Sequence, residues 1–311
     1  MSEAQAQPQP LPAFADLVTA LEAMGGPLPE TRPEAAHEAL VARHPELAAV
    51  AVRDLSIDGP HGPVPARRYA AVEPTGAALL WLHGGGWING NLDMPEAHLV
   101  SLALAALGIA VVSADYRKAL HGVRHPVPAD DVVAAWEWTC ANLAADRYFI
   151  GGGSAGAQLA AGVAMRLRDA GEALPAGVLL VYPLVHPQIP AFSDELDTTL
   201  AASPAGTFLF TRPLIDEIVR NYVGDGAGLT DPHAWPALGD GRGLPPHYIV
   251  NAEFDSLRAS GEAHAAHLRA AGVEVVDETE PATMHGYFDD AASVAARRTL
   301  ERTAAWINAP R

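Results

Sequence analysis

The sequence predicts an α/β protein, a mostly parallel sheet with helices packed on both faces. Three observations carry this. Short apolar runs such as Ala77–Leu82 and Ile109–Ala114 recur between helical segments. These runs do not alternate apolar with polar, so both of their faces must be covered. Two glycine clusters, 83–87 and 151–156, each follow such a run, at the carboxyl ends of strands, where open α/β sheets build ligand sites.

The elements follow in order. Residues 1–10 are rich in Gln and Pro and are expected to be disordered. Phe14–Met24 and Pro33–His44 read as short amphipathic helices, and residues 11–45 are expected to form an N-terminal cap. Val50–Ile57 and Pro65–Ala71 alternate as a hairpin. Ala77–Leu82 and Ile109–Ala114 are strands flanking the helix Ala97–Leu107. Asp130–Ala144 is a helix with Trp136 and Trp138, Tyr148–Ile150 a short strand, Ala157–Ala170 a helix and Val178–Tyr182 a strand. Residues 187–235 break the rhythm, holding Phe192, Phe208, Phe210, Leu214, Ile215 and Tyr222 without a strand pattern. They are expected to form a helical cap insertion that, with residues 11–45, walls a pocket over the sheet. Strands Tyr248–Asn251 and Val273–Val276 and helices Arg258–Ala271 and Ala291–Ile307 resume the pattern. The main domain is therefore expected over 46–186 and 236–311.

Composition removes several function classes. The 311 residues are 49% hydrophobic and 18% charged, enough for a large core. The net charge is −17 and Lys118 is the single lysine, so nucleic acid and anionic membrane are poor partners. One cysteine, Cys140, excludes an internal disulfide framework and thiolate metal clusters. The first basic residue is Arg32, which leaves no signal-peptide pattern. The longest uncharged apolar stretch, Leu99–Ala114, falls short of the roughly 20 residues a bilayer needs. A cytoplasmic chain is the expectation. His264 and His267 share a helix face with no third ligand in view, so no metal is expected.

Chemistry concentrates at the glycine clusters. Gly152-Gly153-Ser154-Ala155-Gly156 fits G-x-S-x-G between a strand and a helix. In that context a serine sits on a sharp turn, and its neighbours two positions away must be small so that strand and helix can approach. The same stretch also fits a dinucleotide fingerprint as Gly151-x-Gly153-x-x-Gly156. That reading asks for an acidic residue closing the next strand, where Val181-Tyr182-Pro183 stands instead. No Gly-Lys-Ser/Thr follows, which excludes a P-loop. His83-Gly84-Gly85-Gly86-Trp87 lets successive backbone N–H groups turn toward one point, as an oxyanion hole requires. A plain strand-end turn is the bland reading of it.

A serine hydroxyl needs a base to remove its proton, and the base needs an acid to orient it. On a nucleophile elbow the order is Ser, Asp or Glu, then His. Asp255 follows the strand Tyr248–Asn251; it reads as that acid or as the cap of the next helix, with Glu253 as the fallback acid. His285 lies in Met284-His285-Gly286-Tyr287-Phe288, after the last strand and before the final helix.

Taken with Asp115-Tyr116-Arg117, His125-Pro126-Val127-Pro128-Ala129, Tyr182-Pro183 and Asp255-x-Leu257-Arg258, these motifs resemble the hormone-sensitive-lipase-like (bacterial class IV) esterases of the α/β-hydrolase superfamily, over roughly residues 50–308. The resemblance implies an eight-stranded sheet, an N-terminal helical cap, no cofactor, and hydrolysis of small carboxylic esters. It implies Ser154, Asp255 and His285 as the catalytic set. Ala155 and two of Gly84, Gly85 and Gly86 would supply the oxyanion hole, with Gly85 and Gly86 favoured. It further implies dimers through an edge strand, here Val273–Val276. One departure stands out, because family members usually carry an acidic residue immediately before the nucleophile, where this chain has Gly153.

The expected function is a serine carboxylesterase acting on esters of short to medium acyl chain, with Trp87, Phe208, Phe210, Leu214 and Ile215 as candidate pocket residues. An amide, formamide or lactone hydrolase with the same three residues is the nearest alternative. A non-catalytic receptor on the same fold is a remote one, and the presence of His285 argues against it.

Overall fold

The computed structural model describes residues 13–27, 38, 41–42, 44–290 and 293–310. Residues 1–10, most of the predicted helix Pro33–His44 and the first residues of the predicted helix Ala291–Ile307 lie outside the described residues.

Eight strands form one sheet: β1 (Val52–Ile57), β2 (Val64–Tyr69), β3 (Ala77–Leu82), β4 (Ile109–Ala114), β5 (Arg147–Gly153), β6 (Gly177–Val181), β7 (His247–Phe254) and β8 (Val275–Met284). Their spatial order is β1-β2-β4-β3-β5-β6-β7-β8. β2 pairs antiparallel with both β1 and β4, while every other pairing is parallel. Helices among the described residues include α1 (Phe14–Ala23), α2 (Pro95–Ala106), α3 (Val127–Asn142), α4 (Ala155–Ala170), α5 (Asp194–Ala201), α6 (Arg212–Val223), α7 (Arg258–Ala270) and α8 (Val294–Asn308).

All six residues of β3 are buried because alternate side chains enter two different cores. Leu79 and Trp81 pack with Leu99, Val100 and Leu104 of α2 and with Leu300 and Ile307 of α8. Ala78, Leu80 and Leu82 pack with Val132 and Trp136 of α3 and with Leu159 and Val163 of α4. Helices on both faces are what the unbroken apolar runs require.

Two strands are longer than the apolar pattern indicates. β5 continues past Ile150 through Gly153, because three glycines still pair with Leu179–Val181 of β6 although they offer no side chain to read. β8 begins at Val275 and continues to Met284, so the expected edge strand Val273–Val276 covers only its start. Two of its acidic residues are neutralised from α8: Glu280, with no exposed surface, accepts from Arg302 at 2.6 Å, from Thr299 at 3.1 Å and from Arg298, and Glu278 accepts from Arg302 at 2.8 Å. A buried carboxylate persists in a strand when donors surround it in this way.

Within 187–235 the structure has α5 and α6, whose first turns are capped by Ser193 and Thr211. α6 buries Ile215, Ile218, Val219, Tyr222 and Val223, one stripe at helical spacing. Phe14 and Leu21 of α1 join the same core, so α1 and α6 pack together on the side of the sheet that carries the strand carboxyl ends.

Candidate active site

Ser154 stands between β5 and α4 with φ 51° and ψ −115°, a left-handed conformation that a residue with a Cβ adopts only when its surroundings impose it. Its surroundings do. The Ser154 N–H donates to Val181 O at 2.9 Å, and a Cβ on Gly156 would lie 2.2 Å from Leu82 O. Only glycine lets α4 start this close to β3.

The structure brings the three predicted residues together across 131 positions of sequence. The Ser154 hydroxyl donates to His285 Nε2 at 2.9 Å, and His285 Nδ1–H donates to Asp255 Oδ2 at 2.7 Å. Asp255 is 1% exposed, and its other oxygen accepts the Leu257 N–H at 2.9 Å in the turn opening α7. The carboxylate thus contacts the imidazole and the turn before α7, but it is not the cap of that helix, whose N-cap is Leu257 with no side-chain cap bond. Glu253 does not reach His285; it accepts the Ala282 N–H at 2.6 Å. The His285 ring also meets Phe210 edge-on at 4.8 Å and Tyr182 at 4.9 Å.

The loop 83–87 faces the serine. Gly85 has φ 103°, and a Cβ there would lie 2.2 Å from Asn89 O, so glycine is required at this turn. The N–H groups of Gly85, Gly86 and Ala155 have no partner among the described residues. Gly84 is a correction to the predicted oxyanion set, because its N–H donates to Glu96 Oε1 at 2.9 Å and is already engaged.

The loop is held from beneath. His83 is fully buried, stacks on Tyr116 at 4.6 Å and donates through Nδ1 to Gly84 O at 2.7 Å. The single lysine, Lys118, is buried below it, donating to Asp115 Oδ1 and Tyr116 O, both at 2.6 Å, and to His83 Nε2 at 3.2 Å. Burial pushes the His83 imidazole below its usual pKa, and the Lys118 charge adds to the effect. Burial opposes the Asp115 charge, but Lys118 and His83 outweigh it and hold the carboxyl at about 2. Tyr116 Oη–H donates to His83 O at 2.8 Å.

A cavity of about 500 Å³ opens over Ser154 and His285. Trp87, Phe208, Phe210, Leu214 and Ile215, the five predicted pocket residues, all contribute to its wall. Trp87 does so marginally: its indole is 1% exposed, stacks on Tyr222 at 4.4 Å and donates to Gln158 Oε1 at 2.9 Å, so it anchors the loop. The sequence did not assign Phe14 and Leu17 of α1, Met94, Leu184, Ile218 or Leu257 to the pocket; they add apolar wall, and Asn89, Glu96 and Asp289 add polar groups to it. A larger cavity of about 680 Å³ near Trp136, Cys140 and Arg147 holds none of the candidate residues. Among the described residues no group of three or more His, Cys, Asp or Glu is placed to hold a metal ion, and no helix is long and apolar enough to cross a membrane.

A family model described as alpha/beta hydrolase fold matches residues 79–289. The chain belongs to this family, in its hormone-sensitive-lipase-like branch. Within the family it is 36% identical over 77% of its length to the carboxylic ester hydrolase LipN of Mycobacterium tuberculosis, covering 65% of that relative. It is 35% identical over 81% of its length to the esterase LipI of the same organism, covering 79% of it. Among solved structures, the thermostable carboxylesterase EstE1 from a metagenomic library superposes with a TM-score of 0.71 at 30% identity, over 89% of this chain and 97% of that one. The family fold is thus shared along nearly all of the described chain.

Proposed function

We propose that the protein is a serine carboxylesterase that cleaves small esters through an acyl-enzyme. The observation that carries this reading is the continuous relay Ser154–His285–Asp255, at 2.9 and 2.7 Å, on the floor of the apolar cavity. His285 takes the hydroxyl proton as Ser154 Oγ attacks the ester carbonyl. Asp255 holds the Nδ1–H tautomer and stabilises the imidazolium. The N–H groups of Gly85, Gly86 and Ala155 receive the developing oxyanion, each worth about 3–4 kcal/mol in the transition state. The carbonyl re-forms as the alkoxide leaves, protonated by His285, and water repeats the cycle on the acyl-serine. Phe208, Phe210, Leu214 and Ile215 surround the space available to substrate, and the limited volume favours short to medium acyl chains over long ones.

The test is Ser154→Ala against a p-nitrophenyl ester series from acetate to decanoate. The expected result is loss of about 10³-fold or more in kcat with the fold intact, and a wild-type optimum at eight acyl carbons or fewer. A variant that keeps most of its activity would end the proposal. Matched acyl anilides, hydrolysed as fast as the esters, would move it to an amidase.

A further inference from the structure

Gly153, immediately before the nucleophile, leaves a space that the fold does not leave empty. Glu96, in the first turn of α2, is 3% exposed and points into it. An added Cβ on Gly153 would lie 2.1 Å from Glu96 Oε1 and 2.8 Å from its Cδ. On the opposite side, an added Cβ on Gly84 would lie 3.2 Å from Glu96 Oε2 and 3.3 Å from Ser154 Cβ. The carboxylate therefore fills the gap between the residue preceding the nucleophile and the first glycine of the loop 83–87.

Its backbone is fixed as firmly as its head. The Trp81 Nε1–H donates to Glu96 O at 3.0 Å, which ties the start of α2 to β3, the strand leading into that same loop. The carboxylate in turn accepts the Gly84 N–H at 2.9 Å. Desolvating a carboxylate is costly without such donors, so a charged acceptor buried here has a defined task. Its charge reaches the surroundings too: the Tyr182 and Tyr116 hydroxyls are held well above their usual pKa by burial first and by Glu96 next.

We propose that Glu96 is a positioning residue of this site: by engaging the Gly84 N–H from the space beside Gly153, it turns the following peptides so that the Gly85 and Gly86 N–H groups face the oxyanion. The acidic group expected at position 153 is thus replaced by one arriving from another element. Gly153 and Glu96 act as a pair, since any side chain at 153 would expel the carboxylate. The inference rests on the esterase reading above, but it fails separately from it.

The experiment uses the full chain, p-nitrophenyl acetate kinetics and thermal melts on Glu96→Ala, Glu96→Gln, Gly153→Ala and Glu96→Ala/Gly153→Ala. Glu96→Ala should lose about 10- to 100-fold in kcat with KM changed less than about three-fold, because the interaction matters where the oxyanion forms. Glu96→Gln keeps an oxygen for Gly84 and should stay within about five-fold of wild type. Gly153→Ala should cost about ten-fold or more in the wild-type background and under about three-fold once Glu96 is alanine, the signature of two coupled sites. Should Glu96→Ala not fold, Glu96→Asp, whose carboxylate stops one methylene short of Gly84, takes its place with the same expectation. Wild-type kcat in Glu96→Ala, an amide as damaging as alanine, or equal losses from Gly153→Ala in both backgrounds would each overturn the inference. A wild-type protein without esterase turnover would instead remove the proposed function itself.

Discussion

Acidification should unfold this protein through histidines buried far from Ser154. His247 on β7 and His264 on α7 are 1% and 0% exposed, with rings 6.0 Å apart; His267 stacks on His264 at 6.3 Å. His186 meets Ser260 Oγ at 2.9 Å on the same helix, and the His267 Nε2–H donates to Gly239 O at 2.8 Å. Burial pushes His247 down to about 4. It also pushes His264 well below its usual value, with His247, His186 and His267 adding to the effect. Folded pKa values below the unfolded 6.5 mean that the unfolded chain binds the extra protons, so this stability is present above pH 6.5 and lost as pH falls toward 4. Between pH 7.5 and 5, a histidine protonated only when unfolded costs about 2 kcal/mol. His247 and His264 together therefore remove about 4 kcal/mol from a total of roughly 5–15. The assay is urea unfolding of wild type and His264→Leu across that range. Both His264 ring nitrogens lack partners among the described residues, so leucine should be at least as stable at pH 7.5. It should then gain about 2 kcal/mol over wild type by pH 5, roughly 4 °C in Tm. Parallel stability curves for the two proteins would refute the reasoning.

Lys118→Met should lower kcat several-fold and shift Tm down, because Asp115 loses its partner and His83 loses the charge beneath it; unchanged values in both measurements would make the lysine incidental. Asp255→Asn should cost about 10⁴-fold in kcat at neutral pH, while Glu253→Gln, whose carboxylate accepts the Ala282 N–H, should stay within about three-fold; steady-state ester kinetics separate them. Phe210→Ala removes the ring that meets His285 at 4.8 Å and Phe208 at 4.8 Å. About 1 kcal/mol of aromatic contact corresponds to roughly five-fold in kcat/KM for acetate, with the acyl-length optimum moving to longer chains in the ester series.

What the sequence made legible and what it hid divide along a physical line. Ser154, Asp255 and His285 could be read because each follows a strand end, and Gly156 and Gly85 are forced because an added Cβ at either would lie 2.2 Å from a backbone oxygen. Local backbone geometry writes itself into local sequence at Gly85 and Gly156, whereas Gly153 is crowded by the Glu96 side chain and not by backbone. The far half of β8 was hidden because the pattern judges a strand by its own polarity, and Asp277, Glu278 and Glu280 look like surface. Glu278 and Glu280 are held by Arg298 and Arg302, which arrive from α8 some twenty residues later, and Asp277 by Arg269 of α7. Glu96 was hidden for the same reason in another guise. In sequence it is an acidic residue in a first helical turn, adequately explained by the helix dipole. Its meeting with Gly84 and Gly153 is set by where α2 lands on β3, through the Trp81–Glu96 bond, and no spacing records that. A missing acid at 153 and an extra one at 96 are each unremarkable alone. They become one statement only when the fold brings both to the same volume, so the place to look for compensation is in space around the departure, not beside it in the chain.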